Sequence, residues 1–198
     1  GDMALAYALE YIEKKAGVSI TNYGEYLEKH PPEMEVEIFE NSSWSCIHGI
    51  ERWRQDCGCN SGGHPGWQQA WRQPLREALD WLRDRLAELC EARAASLCRD
   101  FWAARNDYIR VILDRSPETL QNFLLQHTKV IPSGAELTIL LQLLEIQRQA
   151  MLMYTSCGWF FDELSGLETV QVLRYAGCAL HLAQELFPEA DLEKGFLQ

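Results

Sequence analysis

From Pro74 onward the chain repeats apolar side chains at the spacing of an α-helix. These positions recur at three, four and multiples of seven residues: Leu75, Leu79, Leu82, Leu86, Leu89, Leu97 and Phe101. Such a period places apolar side chains on one face of a helix, and that face must pack against other helices. Further helices are predicted from Pro117 to about His127, from Ala135 to about Tyr154 and from Glu168 to Leu186. The sequence therefore predicts a mainly α fold, an antiparallel helical bundle.

The N-terminal part is predicted to be a less regular cap on this bundle. Residues 2–15 are expected to form a helix, and Thr21-Asn22 are expected to cap a short helix over Tyr23 to Lys29. Glu35 to Phe39 alternates charged and apolar side chains, which predicts the one short strand of the chain. The helix that begins at Pro74 is expected to continue to a break near Asn106. We predict two parts, residues 1–40 and a helical domain over residues 41–198.

Charge and cysteine content restrict the class of partner and the compartment. The chain carries 18 Lys and Arg against 29 Asp and Glu, a net charge of −11, so a nucleic-acid partner is excluded for want of a basic stripe. No apolar run is long enough to span a membrane. Seven Cys, an odd number, without an N-terminal apolar leader predict a reducing cytoplasm and free or metal-bound thiols.

The segment from Glu40 to Trp67 concentrates metal-ligand side chains. Candidate ligands are Cys46, His48, Cys57 and Cys59, with His64 beyond them and Cys157 in a second non-helical segment at residues 155–166. Thiolate and imidazole are the ligands that zinc prefers, and thiolates also hold iron–sulfur clusters. The C-x-H and C-x-C spacings are weaker signals than paired C-x-x-C motifs. Free thiols packed as small apolar side chains are therefore the alternative interpretation.

Aromatic and charged side chains crowd into the same two segments. The candidates for contact with a sugar are Trp44, Trp53, Arg52, Trp159 and Asp162. Indole faces stack on pyranose rings, and guanidinium or carboxylate groups bind hydroxyls at the rim of such a site. The alternative is that several of these Trp side chains belong to the core. Asp162 and Glu163 are adjacent in sequence, so they are not expected to form a catalytic pair across a glycosidic bond.

Four stretches of the chain resemble a known family. They read GDMALAYALEYIEKK, TNYGEYLEKHPPEMEVEI, ENSSWSCIHGIERWRQDCGC and YTSCGWFFDELSGLETVQVLRYA. Together they are similar to the C-terminal part of bacterial glycoside hydrolase family 57-like proteins that carry the domain of unknown function 3536. The Ser43-Trp44 pair is similar to a conserved SSW phrase of that family, in which the helical part reaches the sugar.

The resemblance implies a parent enzyme that acts on α-glucans or similar polysaccharides. Its barrel domain would carry the catalytic Glu and Asp, residues 1–40 would be the end of that barrel or a cap, and the helical part would line the sugar site. This chain alone is then expected to be inactive. Two alternatives stay open: a zinc or iron–sulfur module built on the Cys/His set and Cys157, and a purely structural bundle.

Overall fold

The computed structural model describes residues 1–198 and divides them into two compact units, Gly1–Glu40 and Asn41–Gln198. The first unit contains helices α1 (Asp2–Glu13) and α2 (Tyr23–Lys29). Asn22 caps α2 as predicted, because its side chain accepts a hydrogen bond from the backbone N–H of Glu25 at 3.0 Å. No residue of this unit is buried.

The strand predicted at Glu35 to Phe39 does not form. Alternating side chains stabilise a strand only when a second strand pairs with its backbone, and residues 31–39 have no regular secondary structure. The chain contains a single isolated antiparallel bridge, between Cys98 and Thr128. The mainly α-helical class predicted from the sequence is confirmed.

The second unit is a set of helices around one apolar core. The helices are α3 (Arg72–Ala94), α4 (Phe101–Asp107), α5 (Ile109–Leu113), α6 (Pro117–His127), α7 (Gly134–Leu152), α8 (Leu167–Leu186) and α9 (Leu192–Phe196), with short 3₁₀ turns at Glu51–Trp53, Ser156–Trp159 and Pro188–Ala190. Helix α7 packs on both α3 and α8. Leu79, Leu82 and Leu86 of α3 are fully buried, as the period predicts. None of these helices combines the length and apolar character needed to cross a bilayer.

The long helix predicted from Pro74 is interrupted earlier than expected, since α3 ends at Ala94 and not near Asn106. Backbone hydrogen bonds to the end of α6 hold this turn, from Arg99 N–H to His127 O and from Lys129 N–H to Leu97 O, each at 2.9 Å. Asp100 then caps α4 by accepting from the N–H of Ala103 at 3.0 Å. The break therefore depends on contacts between distant segments.

Candidate metal centre

The segment between Asn41 and Trp71 is almost free of regular structure, and two glycines shape it. Gly49 has φ +69°, and a Cβ there would lie 2.2 Å from the carbonyl oxygen of Asn41, so the tight turn after His48 requires glycine. Gly58 has φ +78° and donates its N–H to the Asp56 carboxylate at 2.9 Å. These turns direct Cys57 and Cys59 back towards Cys46.

Four predicted ligands meet here. The ligand atoms of Cys46, His48, Cys57 and Cys59 all lie within 4.8 Å of one another. Cys46 Sγ is 3.8 Å from Cys57 Sγ, 4.0 Å from Cys59 Sγ and 3.7 Å from His48 Nδ1, and Cys59 Sγ is 3.4 Å from His48 Nδ1. A tetrahedron with Zn–S bonds of about 2.3 Å and a Zn–N bond of about 2.0 Å has edges of about 3.8 Å and 3.5 Å. Four of the six edges of the group thus match a mononuclear tetrahedral site, and the other two are no longer than 4.8 Å.

The surroundings of Cys46 and Cys59 shift the pKa values of these two thiols. Burial raises the pKa of Cys46, but the backbone N–H and ring of His48 and the sulfurs of Cys57 and Cys59 outweigh burial and lower this pKa to about 7. Loss of surrounding water raises the pKa of Cys59, and the adjacent Cys46 and Cys57 raise it further. One thiolate therefore forms readily, and further ionisation is opposed by the charge already present. A bound cation removes that opposition.

Cys157 does not belong to this group, so its inclusion in the ligand set is corrected. Its side chain is exposed in the 3₁₀ turn Ser156–Trp159 and lines a separate cavity of about 310 Å³ together with Glu168 and Tyr175 of α8. His64 also lies outside the group, and its ring packs on Trp67 with centroids 4.0 Å apart.

The two aromatic segments, residues 40–67 and 155–166, are in contact. Trp53 Nε1 donates to the carbonyl oxygen of Ser156 at 3.0 Å, and Arg52 Nη1 donates to that of Phe160 at 2.8 Å. The backbone N–H of Ser61 donates to Asp162 Oδ2 at 2.7 Å. The loop that carries the thiols is therefore attached to residues 156–162 at several points.

Three of the predicted sugar contacts are buried, which corrects their assignment. Arg52 is 8% exposed, Asp162 is 5% exposed and Trp159 is 1% exposed. A sugar has no access to side chains at these depths. Trp159 is part of the apolar core and stacks on Trp71 at 6.0 Å between ring centroids.

Asp162 acts as an internal acceptor. Its Oδ2 accepts from the backbone N–H and the hydroxyl of Ser61, and its Oδ1 accepts from Gln69 Nε2 at 2.9 Å. Burial raises the pKa of this carboxyl, but the hydrogen bonds from Ser61 and Gln69 and the charge of Arg72 outweigh burial and lower it. Asp162 is therefore ionised and holds the loop.

The remaining two predicted sugar contacts differ in exposure. Trp53 is half-buried against the core. Trp44 is 91% exposed, and its ring stacks on that of Phe160 with centroids 6.3 Å apart and planes inclined by 25°. Trp44 therefore presents an open indole face two residues from the predicted ligand Cys46.

Sequence reasoning missed one charged residue of the centre, Arg72. It is fully buried, donates from Nη2 to the carbonyl oxygen of Phe161 at 3.1 Å, and places Nη1 4.0 Å from Cys57 Sγ, at donor distance for sulfur. Burial lowers the pKa of its guanidinium, which still stays protonated. The signal was present in the sequence, because Arg72 precedes Leu75 and Leu79 at three and seven residues and so lies on the buried face of α3.

The fold and this group of side chains define a helical domain whose N-terminal loop carries a Cys₃His set of metal-ligand type. A family model described as Domain of unknown function (DUF3536) matches residues 67–198, and the chain belongs to this family. The four ligands precede the matched range. The match assigns no activity, so the similarity to glycoside hydrolase family 57 stays a prediction. No curated protein and no solved structure matches the chain.

Proposed function

We propose that Cys46, His48, Cys57 and Cys59 bind one zinc ion and that this ion fixes the loop at residues 41–71 on the helical domain. The observation that carries the proposal is the set of four separations, 3.4–4.0 Å, which agree with the edges of a zinc tetrahedron. Two separations join ligands that are 11 residues apart in the sequence. Packing of free thiols as apolar side chains gives no reason for a histidine nitrogen at the fourth corner.

The ligand set favours a structural role over a catalytic one. Catalytic zinc keeps one position for water or substrate and so uses three protein ligands, whereas structural zinc is closed by four. All four corners here are protein atoms. A mononuclear ion also fits better than an iron–sulfur cluster, because a cluster distributes its ligands over two or four irons and holds those on different irons farther apart.

The zinc would add a cross-link to a segment that has little regular secondary structure. Between Asn41 and Trp71 the only helical element is the turn Glu51–Trp53, and most of its residues are half-buried or exposed. A cross-link between Cys46 and Cys59 closes this segment around Arg52 and Trp53, which contact residues 156–160. A reduced thiol set of this kind is consistent with the cytoplasmic location that we propose.

Metal analysis tests this proposal. Protein purified anaerobically without chelators is expected to contain about one zinc ion per chain, and Co²⁺ exchanged into the site is expected to give the visible absorption of a tetrahedral thiolate complex. Apo-protein titrated with zinc should take up the same amount. Absence of stoichiometric metal both after purification and after titration would contradict the proposal.

The exposed Trp44 supports a second proposed function, contact with an oligosaccharide. Here the domain would be the C-terminal helical portion of a family 57-type glycoside hydrolase or glucanotransferase. It would lack the catalytic Glu and Asp and contribute a sugar-binding surface beside a barrel domain of the same protein. A Trp that is 91% exposed and supported from behind by Phe160 offers the flat apolar face that stacks on a pyranose.

Titration with maltooligosaccharides, followed by Trp fluorescence, checks the sugar contact. The wild-type chain is expected to show a saturable change, and Trp44→Ala is expected to abolish it because the stacking face is removed. Trp81→Phe is the matched control, since Trp81 is 40% exposed on α3 and contacts Gly195. A change that persists in Trp44→Ala, or that is absent from the wild type, would oppose this assignment.

A further inference from the structure

Two buried arginines adjoin the proposed zinc centre. Arg52 Nη1 and Arg72 Nη2 both donate to the carbonyl oxygen of Phe160, at 2.8 and 3.4 Å, so the two guanidinium groups are neighbours. Their other hydrogen bonds go to the carbonyl oxygens of Ser45 and Phe161 and to Cys57 Sγ. Neither group obtains a carboxylate through these bonds. Two adjacent positive charges removed from water require a nearby anion.

The only buried side chains that carry a permanent charge lie at this place. Among Lys, Arg, Asp and Glu, the buried members are Arg52, Arg72 and Asp162. Their charges sum to +1 − 1 + 1 = +1. Asp162 is already engaged by Ser61 and Gln69. The buried side chains therefore carry one unit of net positive charge, and the carboxylate outside this buried set that acts on Arg72 is that of the exposed Asp56.

The metal centre supplies the missing charge. Three thiolates, a neutral histidine and one divalent cation give −3 + 2 = −1. Added to the +1 of the buried side chains, this makes the interior neutral. Three protonated thiols would leave it at +1, and a monovalent cation on three thiolates would leave it at −1. A charge of −1 at this group therefore balances the buried side chains, whether three thiolates hold a divalent ion or Cys46 alone ionises without one.

We propose that Arg72 is the counter-cation of the metal centre and that its Nη1–H donates to the Cys57 thiolate, which holds the ion more tightly and makes Cys57 the less reactive thiolate. This inference rests on the proposed zinc site. Groups that hydrogen-bond to metal ligands orient them and tune their affinity. A donor on the sulfur withdraws electron density, so Cys57 reacts more slowly with electrophiles than Cys59, which receives no guanidinium.

Zinc competition and thiol alkylation test the role of Arg72 in the full chain. Arg72→Met is expected to raise the zinc dissociation constant about 10- to 100-fold, measured against a chromophoric chelator. Alkylation of Cys57 by iodoacetamide in the zinc-loaded protein, followed by peptide mass spectrometry, is expected to accelerate by a similar factor. Arg72→Lys keeps the charge and should recover most of the affinity. The matched control is Arg76→Met on the same helix, whose guanidinium contacts Asp80 and Trp53 O but no thiol.

The wild-type protein gives a second measurement that does not depend on folding of a variant. Cys57 and Cys59 are both half-buried, so exposure alone predicts similar alkylation rates, whereas the proposal predicts slower modification of Cys57. Equal rates, or faster modification of Cys57, would overturn the proposal, as would wild-type zinc affinity in a folded Arg72→Met. If the wild-type protein binds no zinc, the proposed zinc site is contradicted. If it binds zinc and Arg72→Met matches it, only the role of Arg72 fails.

Discussion

Cys46→Ser is expected to reduce bound zinc from about one ion per chain to less than about one tenth. Cys46 contacts each of the other three ligands and is the most buried of the four at 6% exposure, so no other side chain can take its place. A serine hydroxyl is a poor ligand for zinc at neutral pH, and three remaining ligands leave the loop open. Elemental analysis of the purified variant, with equilibrium dialysis at fixed free zinc, measures the loss.

The same variant is expected to loosen the loop without unfolding the helices. The buried core begins at Leu79 in sequence and does not include Cys46, so the far-ultraviolet circular dichroism of Cys46→Ser should stay close to that of the wild type. Cleavage by trypsin after Arg52 and Arg54 should become faster, because both lie in the loop that the proposed zinc ion would close. Cys157→Ser removes an exposed thiol outside the group and serves as control. Retained zinc in Cys46→Ser combined with loss in Cys157→Ser would contradict the four-ligand assignment.

Trp159→Ala is expected to lower the free energy of unfolding by about 3–5 kcal/mol, the range for removal of a buried large aromatic side chain. Trp159 is 1% exposed and stacks on Trp71, so its loss leaves a cavity between the 156–159 turn and the start of α3. Denaturation by urea, monitored by circular dichroism at 222 nm, gives the value.

Trp44→Ala is the matched comparison for this second prediction. It removes the same side chain from a position that is 91% exposed, so the free energy of unfolding should change by no more than about 0.5 kcal/mol. Both indoles were candidates for a sugar contact in the sequence, with Trp44 preferred because it lies in a Ser-flanked loop. A larger loss for Trp44→Ala than for Trp159→Ala would reverse the assignment of core and surface.

Much of the helical fold could be predicted from local signals. The period of Leu79, Leu82 and Leu86 predicted the buried face of α3. The start of α6 was predicted at Pro117, and there Ser116 caps the helix by accepting from the N–H of Thr119. The end of α3 was missed because it depends on pairing with the end of α6. The alternation at Glu35 to Phe39 failed for the related reason that a strand needs a partner elsewhere in the chain.

The residue types of the candidate site could be predicted from the sequence, but the distances between them and their burial could not. Residue type was enough to select Cys46, His48, Cys57 and Cys59. Their approach to 3.4–4.0 Å depends on turns at Gly49 and Gly58, and no regular residue spacing in the sequence predicts these turns. Trp159 was misassigned because an aromatic residue in an irregular segment can face inward or outward with the same sequence. Cys157 was misassigned because neighbouring segments need not place every thiol in one group.

The closeness of the four proposed ligands along the chain bears on the order of folding. Cys46 and Cys59 are only 13 residues apart in the sequence, so closing the loop between them costs little entropy and needs no contribution from α7 or α8. A nascent polypeptide could therefore capture its ion before the helices exist. The metal-bound loop formed in this way would already be folded when it contacts residues 156–162. Its docking onto the helical domain would then be the last step of folding.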